Sequence, residues 1–204
     1  MRRIKTNMKI QRFAVGSLET NGYIIYQKEG GDCYIVDPGY SPDKFVKFID
    51  ENKLNLKGIL LTHHHFDHVG AVKKIKAIKD CPVYLHRQDV DMYRNIVDVQ
   101  MEDGDIIMLE DEAIKVLHTP GHTKGGVCLH SEKSKVVFTG DTIFNVDLGR
   151  TDLKDGNPQK MIATMKNIVD KWDNETHIYP GHGDPCSMKF VRSNNSEFLE
   201  AMAM

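Results

Sequence analysis

The sequence has no apolar run long enough to cross a membrane, no CxxC pair and almost no net charge. A membrane-spanning helix needs about 20 consecutive apolar residues, and no segment approaches that. After Met1-Arg2-Arg3-Ile4-Lys5-Thr6-Asn7 no apolar stretch follows, so a secretory leader is not expected. Met8 is an alternative start, which would make residues 1–7 an extension. Cys33, Cys81, Cys128 and Cys186 are scattered singly, as buried small hydrophobes rather than a disulfide framework. A cytoplasmic location is the expectation. Lys and Arg number 27 against 29 Asp and Glu, a balance with no general attraction for nucleic acid or an acidic membrane. No GxGxxG follows a strand and no GxxxxGK is present, so no nucleotide fingerprint is expected. Tryptophan occurs once, whereas histidine occurs 10 times, and the placement of those histidines decides the reading.

With 204 residues and 40% hydrophobic content, the chain can bury one sizeable core, so 1–204 is read as a single domain. Short strands are predicted at Met8 to Val15, Tyr23 to Gln27 and Cys33 to Val36, the last ended by Asp37-Pro38-Gly39. Ser41-Pro42 opens a helix, and Gly58 to Thr62 has the apolar content of a buried strand. A helix follows from Val69 with Val72, Ile75 and Ile78 at three-residue spacing. Then come a strand at Pro82 to Leu85 and a polar helical stretch from Gln88 to Asn95. Four strands follow, at Ile106 to Leu109, Ile114 to Leu117, Val127 to His130 and Val136 to Thr139. A helix runs from Pro158 to about Lys171, carrying Met161, Ile162, Met165, Ile168 and Val169 on one stripe. A strand at His177 to Tyr179 and one C-terminal helix complete the pattern. Strands and helices interleave in two halves, which predicts two sheets with helices outside them.

The apolar strand before residue 63 runs directly into His63-His64-His65-Phe66-Asp67-His68. Imidazole and carboxylate together suit Zn²⁺, and also Fe or Mn. In extended chain His63 and His65 point to one side. Asp67 and His68, at the start of the next helix, reach a neighbouring position, while His64 and Phe66 point away. Three further segments repeat the design of a strand followed by a short loop: Thr119-Pro120-Gly121-His122-Thr123, Thr139-Gly140-Asp141-Thr142 and Tyr179-Pro180-Gly181-His182-Gly183. Loops gathered at one edge of a rigid sheet are where sites are commonly built.

In these segments, and in Gly149-Arg150-Thr151-Asp152, the chain resembles the metallo-β-lactamase superfamily, most of all its glyoxalase II branch. The resemblance runs from about Tyr23 to His182. It implies an αββα sandwich of two mixed sheets with the metals at one edge. It implies two divalent ions, zinc by default and iron or manganese as alternatives. His63, His65 and His122 would serve the first, Asp67, His68 and His182 the second, and Asp141 would bridge them. Each ion then has three ligands of its own and one shared carboxylate, which leaves room for a bridging hydroxide; a closed structural zinc has four private ligands. The implied chemistry is hydrolysis of a small thioester such as a hydroxyacyl-thiol, with Asp67 also orienting the nucleophile. Positions 183–204 are too few for the helical extension that carries much of the glutathione contact in that branch, so the short single-domain relatives are the better match.

Two rivals share the site: a mononuclear-iron persulfide dioxygenase, and a lactonase or β-lactamase. A nuclease of the same superfamily is disfavoured by the balanced charge and the lack of a basic arm. A non-catalytic relative would be marked by a missing ligand, and all seven candidates are present. Arg150 either meets a substrate carboxylate or pairs with Asp152 to hold its loop, and the second reading is preferred. His86, His118, His130 and His177 are read as core or strand-end histidines, Tyr40 as lining the cleft mouth, and Trp172 as core. A small-molecule substrate and a monomer or small homo-oligomer are expected, with no nucleic-acid or membrane partner.

Overall fold

A computed structural model describes residues 8–204; residues 1–7, read above as an extension, lie outside it. The first half forms β1 (Lys9–Val15), β2 (Thr20–Tyr26), β3 (Asp32–Val36), α1 (Pro42–Glu51), β4 (Asn55–Leu60), α2 (Phe66–Val69), α3 (Val72–Lys79), β5 (Val83–His86), α4 (Val90–Tyr93) and β6 (Val99–Met101). The second forms β7 (Ile106–Leu109), β8 (Glu112–His118), β9 (Val127–Ser131), β10 (Val136–Gly140), α5 (Pro158–Asn167), β11 (His177–Pro180), β12 (Cys186–Ser187), α6 (Met188–Asn194) and α7 (Ser196–Ala203). Each half builds one six-stranded sheet, in the orders β1-β2-β3-β4-β5-β6 and β12-β11-β10-β9-β8-β7. Both are mixed: β3, β4, β5 and β6 run parallel while β1, β2 and β3 pair antiparallel. In the second sheet only β10 and β11 are parallel.

Side-chain alternation along the strands separates three apolar layers. Ile24, Cys33, Ile35 and Ile59 face outward onto Phe45 and Ile49 of α1 and Val72 and Ile75 of α3. Their neighbours Tyr23, Ile25, Tyr34, Val36 and Leu60 face the other way, onto Val116, Leu129 and Phe138 between the sheets. Cys128, Val137 and Ile178 meet Met161, Met165, Val191 and Phe198 from α5, α6 and α7. The result is the expected αββα sandwich. Strands covered on both faces lose the polar alternation of a half-exposed sheet, which is why they read as continuous apolar runs. Cys33, Cys81 and Cys128 are buried and all four cysteines are free. Trp172 is core, as expected. No helix among the described residues is long and apolar enough to cross a membrane.

Four details differ from the expected pattern. Ile78 is 56% exposed, because at 100° per residue a three-residue step drifts off the face held by Val72 and Ile75. The helix from Pro158 stops at Asn167, where Ile168 leaves helical geometry, and Val169–Lys171 continues as a 3-10 turn. The single C-terminal helix is two, since Asn195 ends α6 and its side chain caps α7 by accepting the Phe198 N–H at 2.8 Å. The three-residue edge strand β6 lies beyond the polar stretch, which holds only one helical turn, α4.

Candidate metal centre

Four segments at one end of the two sheets carry the candidate ligands. β4 delivers His63 and His65, and the single turn of α2 carries Asp67 and His68. The β8–β9 loop carries His122, the end of β10 carries Asp141, and the loop after β11 carries His182. The loops are joined directly across the two sheets. Val127 N–H donates to Thr62 O at 2.9 Å and Asn21 N–H to Gly181 O at 2.7 Å, while within the second sheet Gly181 N–H donates to Gly140 O at 2.8 Å. Gly181 is required by space alone: a Cβ there would lie 2.2 Å from Asp141 Oδ1 and 2.5 Å from His68 Cε1.

Three groups of three side chains bring one ligand atom each within 4.8 Å of one another: His63, His65 and His122; Asp67, His68 and His182; and Asp37, His63 and His68, which straddles the first two. Asp141 touches the first two. Its Oδ1 lies 3.2 Å from His68 Nε2, and its Oδ2 lies 3.5 Å from His122 Nε2 and 3.5 Å from His182 Nε2. The two trios adjoin through His63 and His68, whose ring centroids are 4.2 Å apart. All seven sequence-predicted residues are therefore in one cluster, and His182, with 30% of its side chain exposed, is its open side.

Four of the five rings are turned the same way by partners that only accept, or are themselves donating elsewhere. His122 Nδ1–H donates to Arg150 O at 2.8 Å, His182 Nδ1–H to Leu18 O at 3.1 Å, and His68 Nδ1–H to Asp37 Oδ2 at 3.0 Å. Thr62 Oγ1–H donates to Asp37 Oδ2 at 2.5 Å and so accepts from His63 Nδ1–H at 3.1 Å. In its neutral form each of these rings therefore carries its proton on Nδ1 and turns Nε2 into the cluster, the tautomer a metal ligand needs. His65 is the exception and presents Nδ1, which sits 2.8 Å from His122 Nε2.

The electrostatics of the trios differ. Burial holds His63 and His122 below the usual imidazole range and brings His65 down to about 4. Burial opposes the charged form of His68 too, but the Asp141 carboxylate outweighs it and raises that ring well above its ordinary value. For His182, burial is likewise overcome, by hydrogen bonds to Asp141 and Asp67, and the ring is pushed up to about 9. Burial works to raise Asp141 and Asp67, yet the surrounding imidazoles prevail and hold both below the ordinary carboxylate range. Without a metal, protons on the second trio balance the carboxylates.

The donor set fits a divalent cation. His63 Nε2, His68 Nε2 and Asp141 Oδ1 are fully buried and complete no hydrogen bond. Leaving a buried polar atom unsatisfied costs about 1–3 kcal/mol, and three such atoms converging from separate segments are what a shared cation satisfies.

Asp37 was read from the sequence only as a turn residue. It is buried, in left-handed conformation with φ 48°, and accepts from Thr62 N–H at 2.8 Å, Thr62 Oγ1–H and His68 Nδ1–H. The signal available was its position: a carboxylate directly after a buried strand, like Asp141. Thr20, whose hydroxyl donates to Asp67 Oδ2 at 3.0 Å, carried no comparable sign. Arg150 pairs with Asp152 through two bonds of 2.7 Å, and it is its backbone carbonyl that meets the cluster. Phe66 is exposed, whereas His64 turns inward onto Asp89. Tyr40 packs across the β1–β2 turn at Gly16.

The pattern of the metallo-beta-lactamase superfamily matches residues 15–182. The chain belongs to that superfamily, and its His/Asp cluster is that of a metallo-hydrolase. It is similar to a probable metallo-hydrolase of Bacillus subtilis, 30% identical over 97% of this chain and 100% of the relative. It is also similar to a hydroxyacylglutathione hydrolase of Francisella tularensis, 34% identical over 86% of this chain and 68% of the relative. Among solved structures, a protein crystallised in a di-iron-bound form superposes with a TM-score of 0.82 at 30% identity, covering 91% of this chain and 98% of that one.

Proposed function

We propose that the chain is a dinuclear metal-dependent hydrolase acting on a small thioester. The observation that carries the reading is Asp141, whose oxygens reach His122 of one trio and His68 and His182 of the other. His63, His65 and His122 would hold one ion, Asp67, His68 and His182 the second, and Asp141 would serve both. Zinc is the default ion; the di-iron form of a structural relative keeps iron as the alternative. Divalent ions held there supply Lewis acidity and bring the pKa of a water toward about 7.

The chain's own residues do the rest. Asp67 Oδ2 accepts from Thr20 and faces His182, which would leave Oδ1 to accept a hydrogen from the attacking water and orient it. Burial of His63, His68 and Asp141 excludes bulk water and strengthens every charge interaction at the reacting carbonyl. The leaving group favours a thioester. A thiol, with an ordinary pKa near 8.5, departs without a proton donor. The imidazoles whose Nε2 atoms face the cluster are committed to metal and have no proton to deliver to an amine. The similarity to a hydroxyacylglutathione hydrolase supports the same class.

The test is a metal-reconstituted protein assayed on thioesters of glutathione, other small thiols and coenzyme A, beside lactones and a persulfide with oxygen monitored. Hydrolysis of a small thioester without oxygen uptake is expected. Oxygen consumption on the persulfide, or turnover of lactones alone, overturns the substrate assignment.

A further inference from the structure

Behind the all-histidine trio lies a buried carboxylate outside every metal-binding segment. Asp89 closes the 3-10 turn Arg87–Asp89 and is fully buried. Its Oδ2 accepts from His64 N–H at 3.2 Å, His64 Nδ1–H at 2.9 Å and Thr123 Oγ1–H at 2.9 Å, and its Oδ1 accepts from Gly125 N–H at 2.5 Å. Three donors crowd Oδ2 and one meets Oδ1, so neither oxygen of the carboxylate is left without a partner. They come from two loops only: His64, which supplies two of them, lies between His63 and His65, Thr123 follows His122, and Gly125 lies two residues further along the same loop.

A second layer ties the same segments. His86, preceding the 3-10 turn, stacks on His118 with centroids 4.3 Å apart at 14°, and His118 Nε2–H donates to Lys124 O at 3.0 Å. The fit has no slack, since a Cβ on Gly125 would lie 2.6 Å from Asp89 Oδ1. The other trio is held by different groups: Thr20 on Asp67, Asp37 on His68 and the Leu18 carbonyl on His182.

We infer that Asp89 is a positioning residue that fixes the spacing of His63 and His65 against His122, and so tunes one of the two metal sites selectively. This rests on the dinuclear reading above. The experiment is stepwise Zn²⁺ titration against a competing chelator, on metal-free wild type, Asp89→Asn and Thr123→Val. It is read with the metal-free melting temperature and the ¹⁵N-histidine spectrum of the loaded protein. Removing a group bonded directly to a metal ligand typically costs 10–100-fold in metal affinity, and Asp89, which grips the residues flanking the ligands, belongs at the lower end, about 10-fold. Asp89→Asn should weaken one step by about that factor, move the His65 and His122 signals, and leave the other step and the His182 signal in place. Thr123→Val, which keeps the carboxylate, should weaken the same step by less. Adding it to Asp89→Asn should cost less than the two separate effects combined.

Unchanged affinities in both variants overturn the inference. So does an equal loss in both steps with a lowered metal-free melting temperature, which marks Asp89 as a general fold residue. A wild type that takes up only one ion overturns the dinuclear reading instead. Asp89 is then judged on that single step: weakened in Asp89→Asn it stands, unchanged it falls.

Discussion

The two trios sit side by side in one cluster but solve opposite electrostatic problems. His63, His65 and His122 are three imidazoles held neutral by burial. They would face a cation with no charge of their own, so what they need is fixed spacing: His63 donates to Thr62 Oγ1, His122 donates to the Arg150 carbonyl, and Asp89 grips His64 between His63 and His65. Asp67, His68 and His182 lie among the carboxylates of Asp37, Asp67 and Asp141, and in the metal-free chain their imidazoles hold protons. One half is preorganised by geometry, the other by charge. Asp141 belongs to both, so it is where the distinction should fail first.

Asp141→Ala should therefore have the largest effect. It removes the carboxylate that lies between the Nε2 atoms of His68, His122 and His182, and turnover should fall by more than the roughly 100-fold that marks loss of a mere supporting partner. Elemental analysis should show both metals depleted. His130→Ala serves as the control: His130 is half-buried near Trp172, with ring centroids 6.1 Å apart, and the variant should keep its metal and change stability only modestly. Next comes Asp37→Asn, which disturbs the Thr62–His63 contact and the His68 bond together. A loss of about 10–100-fold in metal affinity is expected, spread over both binding steps, in contrast to the one-step effect of Asp89→Asn.

The charge-organised half should also reveal itself through pH. His182 sits near 9 in the metal-free chain against an ordinary value of 6.5. Its contribution to metal-free stability is full below 6.5 and is lost as pH rises through about 9. Metal uptake must expel those protons, so apparent affinity should climb between pH 6.5 and 9. Calorimetric titration in buffers of different ionisation enthalpy measures the release directly; no release at pH 7.5 would break the comparison. The smallest effect is expected from Arg150→Ala. The guanidinium pairs with Asp152 at the surface while the backbone carbonyl holds His122, so metal content and melting temperature should stay close to wild type. A selective rise in KM would instead give the side chain a substrate contact.

The ligand-bearing segments were legible in the sequence because metal chemistry confines ligands to few residue types and the fold places them just after apolar strands. The layers were legible because doubly covered strands such as Ile59 to Leu61 carry no polar face. What holds the ligands was not. Asp89 meets His64 across 25 residues of chain from inside a polar stretch, and no local pattern marks that pairing. Asp37 wears the dress of a turn residue in Asp37-Pro38-Gly39. The Leu18 and Arg150 carbonyls that orient His182 and His122 have no side-chain signature at all. The edge strand β6 is three residues long, too short for period-2 patterning to appear.

The central claim is that both trios hold metal with Asp141 between them. Metal-free protein should be reconstituted with excess Zn²⁺, freed of unbound ion and assayed by elemental analysis against chain concentration. The account predicts close to two ions per chain, falling well below one in Asp141→Ala. A saturated value of one ion in the wild type, or two retained in Asp141→Ala, would contradict it.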